Sequence, residues 1–220
     1  MEFKTLYEIL NVLSPVALII GLIIGLSNFK KLNIIHKGIT CYLLVMLCVD
    51  MTGRILEYHS RNNLVVLLIY SLVEMLFFVY FYYKYLFKSR HRVLIGLSFL
   101  AAGYIIWELI YFSQDVRQFQ SYAKVVDNFV VITLALVFLS DKIRDYKESK
   151  LDTFYINAAI LVFFTINLIF FLPINFTLNE SAGFYFWLFN LVTTVSFYLY
   201  LTFCIWKNRK AQHLAFKDGR

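Results

Sequence analysis

Residues 63–86 read NLVVLLIYSLVEMLFFVYFYYKYL, and this stretch decides the fold. A bilayer core takes roughly 20 apolar residues of α-helix, and this segment supplies them with one acid, Glu74, near its middle and one base, Lys84, at its end. Working outward, six more stretches of the same kind lie at about 6–28, 38–58, 93–113, 122–140, 153–174 and 183–206. Period-2 alternation is absent from all of them, which argues against an outer-membrane barrel. The connections run to about ten residues at most, leaving no room for a soluble domain. The expected class is therefore all-α: a polytopic membrane protein of seven transmembrane helices, one domain over 1–206 with a basic, mobile tail at 207–220.

Composition agrees. The 220 residues are 60% hydrophobic, 19% aromatic and 16% charged, with a mean hydropathy of +0.68. A soluble domain is about a quarter charged, so this chain cannot cover a water-facing surface. With 8 Gly, 2 Pro and 3 Cys it is no disordered, collagenous or disulfide-framed chain either. The first span does not read as a cleavable signal peptide, because Glu2 and Glu8 flank a single Lys4 and no A-x-A site follows.

Lysine and arginine fix the expected orientation. Segments 28–38, 84–92, 142–150 and 207–220 hold 16 of the 21, whereas the opposite side has Lys4, Arg54, Arg61, Arg117 and Lys124. Basic loops stay cytoplasmic, which puts the N-terminus outside, the C-terminus in the cytoplasm and the chain in the inner membrane. Span 38–58 carries Asp50, Arg54 and Glu57 in its outer half, yet it must cross, since the loops on either side of spans 2 and 3 are both basic. The net charge of +7 follows from this bias and from anionic headgroups, so no nucleic-acid partner is expected.

Several chemistries drop out. A retinal protein needs a lysine deep in its last helix, and span 7 has none before Lys207. Haem or zinc would need histidines inside the bilayer, but His36, His59, His91 and His213 fall at span ends, in loops or in the tail. Cys41, Cys48 and Cys204 form no C-x-x-C. No P-loop, nucleophile elbow or internal repeat is present, so no cofactor and no metal are expected. Gly21 and Gly25 form a small-xxx-small face on span 1, a signal for close helix approach.

The informative residues are the charges inside spans: Asp50, Arg54, Glu74, Glu108 and Asp127. Each costs roughly 2.5–3.5 kcal/mol at a helix centre, so a cluster of them is a functional hypothesis by default. With the spans alternating in direction, all five map to the outer half. Asp50 and Arg54 are four apart and can pair along one helix. Tyr70 lies one turn from Glu74, and Tyr104 one turn from Glu108; Asn167, Asn190, Thr193 and Thr194 add neutral polar groups at similar depth. These residues predict an acid-rich cavity open to the outside. Glu57, Arg61 and Lys124 read as headgroup-level charges, which leaves Glu74 without a basic partner at its own depth. The competing structural reading is that these groups only pin helices together.

Three motif sets carry a resemblance. Ile69-Tyr70-Ser71-Leu72-Val73-Glu74 with Phe81-Tyr82-Tyr83-Lys84 is one; Phe119-Gln120-Ser121-Tyr122 is the second; Phe154-Tyr155-Ile156-Asn157 with Trp187-Leu188-Phe189-Asn190 and Trp206-Lys207 is the third. Together they resemble an uncharacterised family of small seven-helix inner-membrane proteins common in Bacteroidota. That resemblance implies the architecture and the importance of Tyr70 and Glu74, and by analogy with seven-helix modules joined to sensor kinases it implies sensing. Trp107-Glu108 within residues 105–111 is similar to the Trp-Glu pair of integral-membrane terpene cyclases. That likeness implies acid-initiated cation chemistry by Glu108 and Asp127.

The functional expectation is a non-enzymatic receptor or sensor. A small molecule or lipid headgroup would enter from the outer side, and a cytoplasmic or membrane protein partner would read the basic loops. The alternatives are an intramembrane isoprenoid- or lipid-modifying enzyme using Glu108 and Asp127, or a structural subunit of an envelope complex.

Overall fold

The computed structural model describes residues 2–59, 64–89, 91–112, 122–144, 151–174 and 180–218. Arg61, Arg117 and the Phe119-Gln120-Ser121 part of one motif lie outside these. The described residues are helical: α1 Glu2–Ser27, α2 Ile34–Tyr58, α3 Leu64–Phe81, α4 Arg92–Phe112, α5 Ala123–Arg144, α6 Leu151–Ile174 and α7 Glu180–Asp218. Each of the seven is long and apolar enough to cross a membrane. Large apolar side chains point outward along them, Val93 at 84% exposure and Leu100 at 76%, which is the surface a multi-pass membrane protein presents to lipid.

Two elements differ from the sequence expectation. After Phe81 the chain continues as a five-residue π-helical turn, Tyr82–Leu86. It is closed by the Phe87 N–H donating to the Tyr82 carbonyl at 2.8 Å. The tail beyond 206 is not irregular: α7 runs on through Asp218. Residues 207–218 contain Lys, Arg, Gln, Ala and Leu with no Gly or Pro, so helix propensity carries the element past its apolar span.

The chain forms two compact units, Met1–Cys48 with Trp187–Arg220, and Val49–Phe186. In the first, the small-residue face of α1 is used as expected. A Cβ on Gly21 would lie 2.5 Å from Thr202 Oγ1 and 2.6 Å from Leu43 Cδ1, and one on Gly25 would lie 2.5 Å from Thr40 Cγ2. Only glycine lets α1 approach α2 and α7 this closely. Asn33 caps α2, its Oδ1 accepting from the His36 N–H at 3.0 Å, while its own N–H donates to Asn208 Oδ1 at 3.3 Å. Tyr42 is buried with its ring 6.1 Å from that of Phe197.

In the second unit α5 is the hub, packed against α3, α4 and α6. Its apolar window is 50% buried, the largest share of the seven spans. The fully buried Tyr82 hydroxyl donates to Asn157 Oδ1 at 2.6 Å. The Asn157 amide donates in turn to the Ala135 carbonyl at 3.3 Å. One polar chain thus ties the π turn to α6 and α5, and Phe78 packs edge-on against Phe164 beside it, centroids 5.0 Å apart.

Candidate functional site

Lys124 lies in the first turn of α5, where a lysine on a spanning helix would ordinarily turn its ammonium to the headgroups. Here it is buried, 2% exposed, and its ammonium is hydrogen-bonded to Glu74 of α3 and Asp127 of its own helix. Nζ lies 2.5 Å from Asp127 Oδ2, an i,i+3 pair on one helical face. Glu74 and Asp127 are both fully buried. The Tyr70 hydroxyl donates to Glu74 Oε1 at 2.9 Å, the i,i+4 contact that their spacing predicts. Lys124 Nζ also stands 4.4 Å from the Tyr70 ring centroid and 5.6 Å from that of Phe164. Two carboxylates, an ammonium, a phenol and two aromatic faces therefore form one desolvated network. Low dielectric strengthens each of these contacts.

This corrects the sequence expectation in two respects. Glu74 has a basic partner, and Lys124 is that partner rather than a headgroup-level charge. The network is also enclosed, since Glu74 and Asp127 have no exposed surface, whereas a cavity open to the outside was expected. The signal for Lys124 was present in the sequence, three residues before an intramembrane aspartate, but the reach of its side chain into the span was not.

The other sequence-nominated residues fall into smaller groups. Glu108 on α4 is buried, and the half-buried Tyr104 one turn away interacts with its carboxylate. Trp107 is 47% exposed, so of the Trp-Glu pair only the acid turns inward. Asp50 and Arg54 form their own half-buried intrahelical ion pair at 2.7 Å. Asn167 on α6 is buried. Asn190 belongs to the first unit, where its Oδ1 accepts from the Thr194 hydroxyl at 3.1 Å, and the half-buried Thr193 donates its hydroxyl to the Phe189 carbonyl.

Sequence reasoning missed one further residue. Asn128 follows Asp127 on α5, is fully buried, and neither end of its amide has a hydrogen-bond partner among the described residues. The same holds for Asn167 Oδ1 and Asp127 Oδ1. A buried amide left without partners costs about 1–3 kcal/mol, which a purely structural role does not return. Among the described residues no group of three His, Cys, Asp or Glu side chains could hold a metal.

Comparison with family models, curated proteins and solved structures finds no match for this chain.

Proposed function

We propose that this chain is an inner-membrane protein of receptor or sensor type whose ligand binds at the Glu74–Lys124–Asp127 network. One observation carries the reading: the buried Asn128, with both ends of its amide unmet, stands beside an ion network already complete as a helix pin. Bridging α3 to α5 explains Glu74, Lys124 and Asp127; it does not explain Asn128. The resemblance to small seven-helix inner-membrane proteins supports the same class.

The enclosure of the site shapes the mechanism. A ligand that reaches groups with no exposed surface binds a conformation in which the helices around α5 have parted, and that differential affinity is what shifts the population. Lys124 would relay the shift, because any change at Asp127 alters its bond to Glu74 and so the seat of α3. The basic segments at 28–38, 84–92 and 142–150 are the surfaces a cytoplasmic partner would read.

The test is cryo-electron microscopy of the full chain extracted with its native lipids. Non-protein density touching Asn128 in wild type, and missing in Asn128→Leu, is the expected result. A well-defined, unoccupied network in native lipid would overturn the reading.

A further inference from the structure

The carboxyl oxygens of Glu74 and Asp127 are not equivalent. Glu74 accepts at both of its own, Oε2 from the Lys124 ammonium and Oε1 from the Tyr70 hydroxyl. Asp127 accepts from the same ammonium at Oδ2, but its fully buried Oδ1 receives no hydrogen bond from any described residue. An ionised carboxylate withdrawn from water is stabilised by donors at both oxygens, whereas a carboxylic acid carries its own hydrogen at one of them. Asp127 is moreover hydrogen-bonded to Glu74. Two carboxylates have no hydrogen to share, so that bond requires a proton on one of the pair. The donor count makes Glu74 the ionised member and Asp127 the protonated one.

Charge agrees with the donor count. Ionised Glu74, neutral Asp127 and the Lys124 ammonium sum to zero in a site whose two acids have no exposed surface. Ionising Asp127 as well would leave one buried negative charge unpaired, which is costly at low dielectric. The elements packed around α5 supply no further base among the described residues. From α3 comes the Tyr70 phenol, from α4 come Glu108 and Tyr104 with Tyr122 near them, and the buried residues of α6 include no titratable side chain.

A polar route adjoins the acid. Asn128, fully buried on α5, has both its amide hydrogens and its oxygen unmet among the described residues, and so has Asn167 Oδ1 on α6. Lys124, Asn128, Val131 and Ala135 share one face of α5; Asn157, Ile160, Phe164 and Asn167 share one face of α6. The Asn157–Ala135 hydrogen bond and Lys124 Nζ over the Phe164 ring bring these faces together antiparallel. The two asparagines therefore stand within about one helical turn of each other. A set that offers donors and acceptors together suits water, which does both and can take or return a proton.

We infer that Asp127 is a proton-binding site whose bound proton locks α3 onto α5, and that release of the proton to water at Asn128 and Asn167 unlocks them. The O–H bond of Asp127 breaks, its electron pair stays behind as the carboxylate charge, and the proton leaves on the water. Glu74 and Asp127 then hold two like charges against one ammonium, and their repulsion drives α3 from α5. The lock goes beyond the sensor reading, since it operates whether or not another ligand enters; parted helices are the conformation such a ligand needs.

The experiment follows the full chain in detergent by infrared spectroscopy and thermal unfolding, with pH as the titrant. A carboxylic-acid C=O stretch should be present in wild type at neutral pH and missing in Asp127→Asn. It should also be missing in Glu74→Gln, although Asp127 is intact there, because Asp127 is then the one acid left to balance Lys124 and ionises. Any acid band from Glu108 persists in both variants and cancels in the difference spectra. The proton is held by the folded state, so the stability it confers is complete in acid and is lost as pH rises. Wild-type Tm should therefore fall relative to Asp127→Asn by about 2–5 °C per pH unit through the titration. An Asp127→Asn spectrum identical to wild type shows Asp127 to be ionised and overturns the inference. So does a band lost in Asp127→Asn but kept in Glu74→Gln, because the proton then does not answer to Glu74. Parallel pH dependence of Tm in wild type and Asp127→Asn removes the lock and overturns it too. The acid band and its pH response, with density no larger than water at Asn128 in native lipid, would keep the proton and sink the ligand reading. A larger molecule at Asn128 without the acid band would do the reverse.

Discussion

The Lys124 ammonium and the Glu74 carboxylate, fifty positions apart in the chain, form a hydrogen-bonded ion pair with almost no exposed surface. Asp127 shares the same ammonium, so the three groups act as one unit and their contributions are coupled. That sharing makes the consequences of removing each member unequal.

Lys124→Met should be the most damaging single change in the second unit. It removes the one ammonium to which both buried acids are bonded, a loss of about 3–5 kcal/mol. Glu74→Gln keeps Lys124 paired with Asp127 and keeps an acceptor for Tyr70, so it should lose only about 1–3 kcal/mol. Melting curves of both variants and of the double variant measure this. The double should lose less than the sum of the singles. Two singles that melt like wild type would show that the bridge contributes nothing to α3–α5 packing.

The spans were legible because hydropathy is a property of each segment alone. Residues 93–113 were expected for a helix that runs Arg92–Phe112. The Gly21–Gly25 face was legible for the same reason: glycine spacing along one helix announces close approach without naming the neighbour. The Lys124–Glu74 bond was not legible. It joins two helices, and which face of α5 meets which face of α3 is set by packing that no single segment encodes. Asn128 was overlooked because an asparagine beside an aspartate looks like a helper of that aspartate. Its burial with both amide ends unmet is visible only once the helices are packed. The π turn at Tyr82 was hidden inside an aromatic run that reads as uninterrupted span.

Glycine substitutions should separate close approach from mere propensity. Alanine at Gly25 brings a Cβ to 2.5 Å from Thr40 Cγ2 and 3.1 Å from Thr40 Cβ, atoms on a short branched side chain that cannot retreat. We expect Gly25→Ala to cost about 1–3 kcal/mol. Gly103 on α4 has nothing within 4 Å of an added Cβ, so Gly103→Ala should stabilise by about 0.5–1 kcal/mol through helix propensity. Opposite shifts in Tm are the expected result, and equal shifts would mean that α1 does not pack as described.

Tyr82→Phe tests the polar chain at the π turn. The substitution keeps the ring among Phe81, Phe87 and Phe138 and removes only the hydroxyl that donates to Asn157 at 2.6 Å. Asn157 keeps its bond to the Ala135 carbonyl, so the expected loss is about 1 kcal/mol. Asn157→Leu strands the buried Tyr82 hydroxyl and should lose more. Equal melting points for the two variants would remove the chain as a fixture of the second unit.

Orientation can be tested without any assay of function. The basic segments 28–38, 84–92, 142–150 and 207–220 must share a side if positive charge is kept in the cytoplasm, and seven crossings then put the two termini on opposite sides. Reporter fusions after Arg61 and after Arg220 should therefore report the outside and the cytoplasm. Both positions lie beyond the ends of apolar spans, so neither fusion interrupts a crossing. The result bears directly on the site. Lys124 starts α5 at the end that this topology places outside, so a ligand would approach the Glu74–Lys124–Asp127 network from there. Fusions that report the same side would mean that one of the helices from α3 onward does not cross, and the outer approach to Lys124 would have to be abandoned.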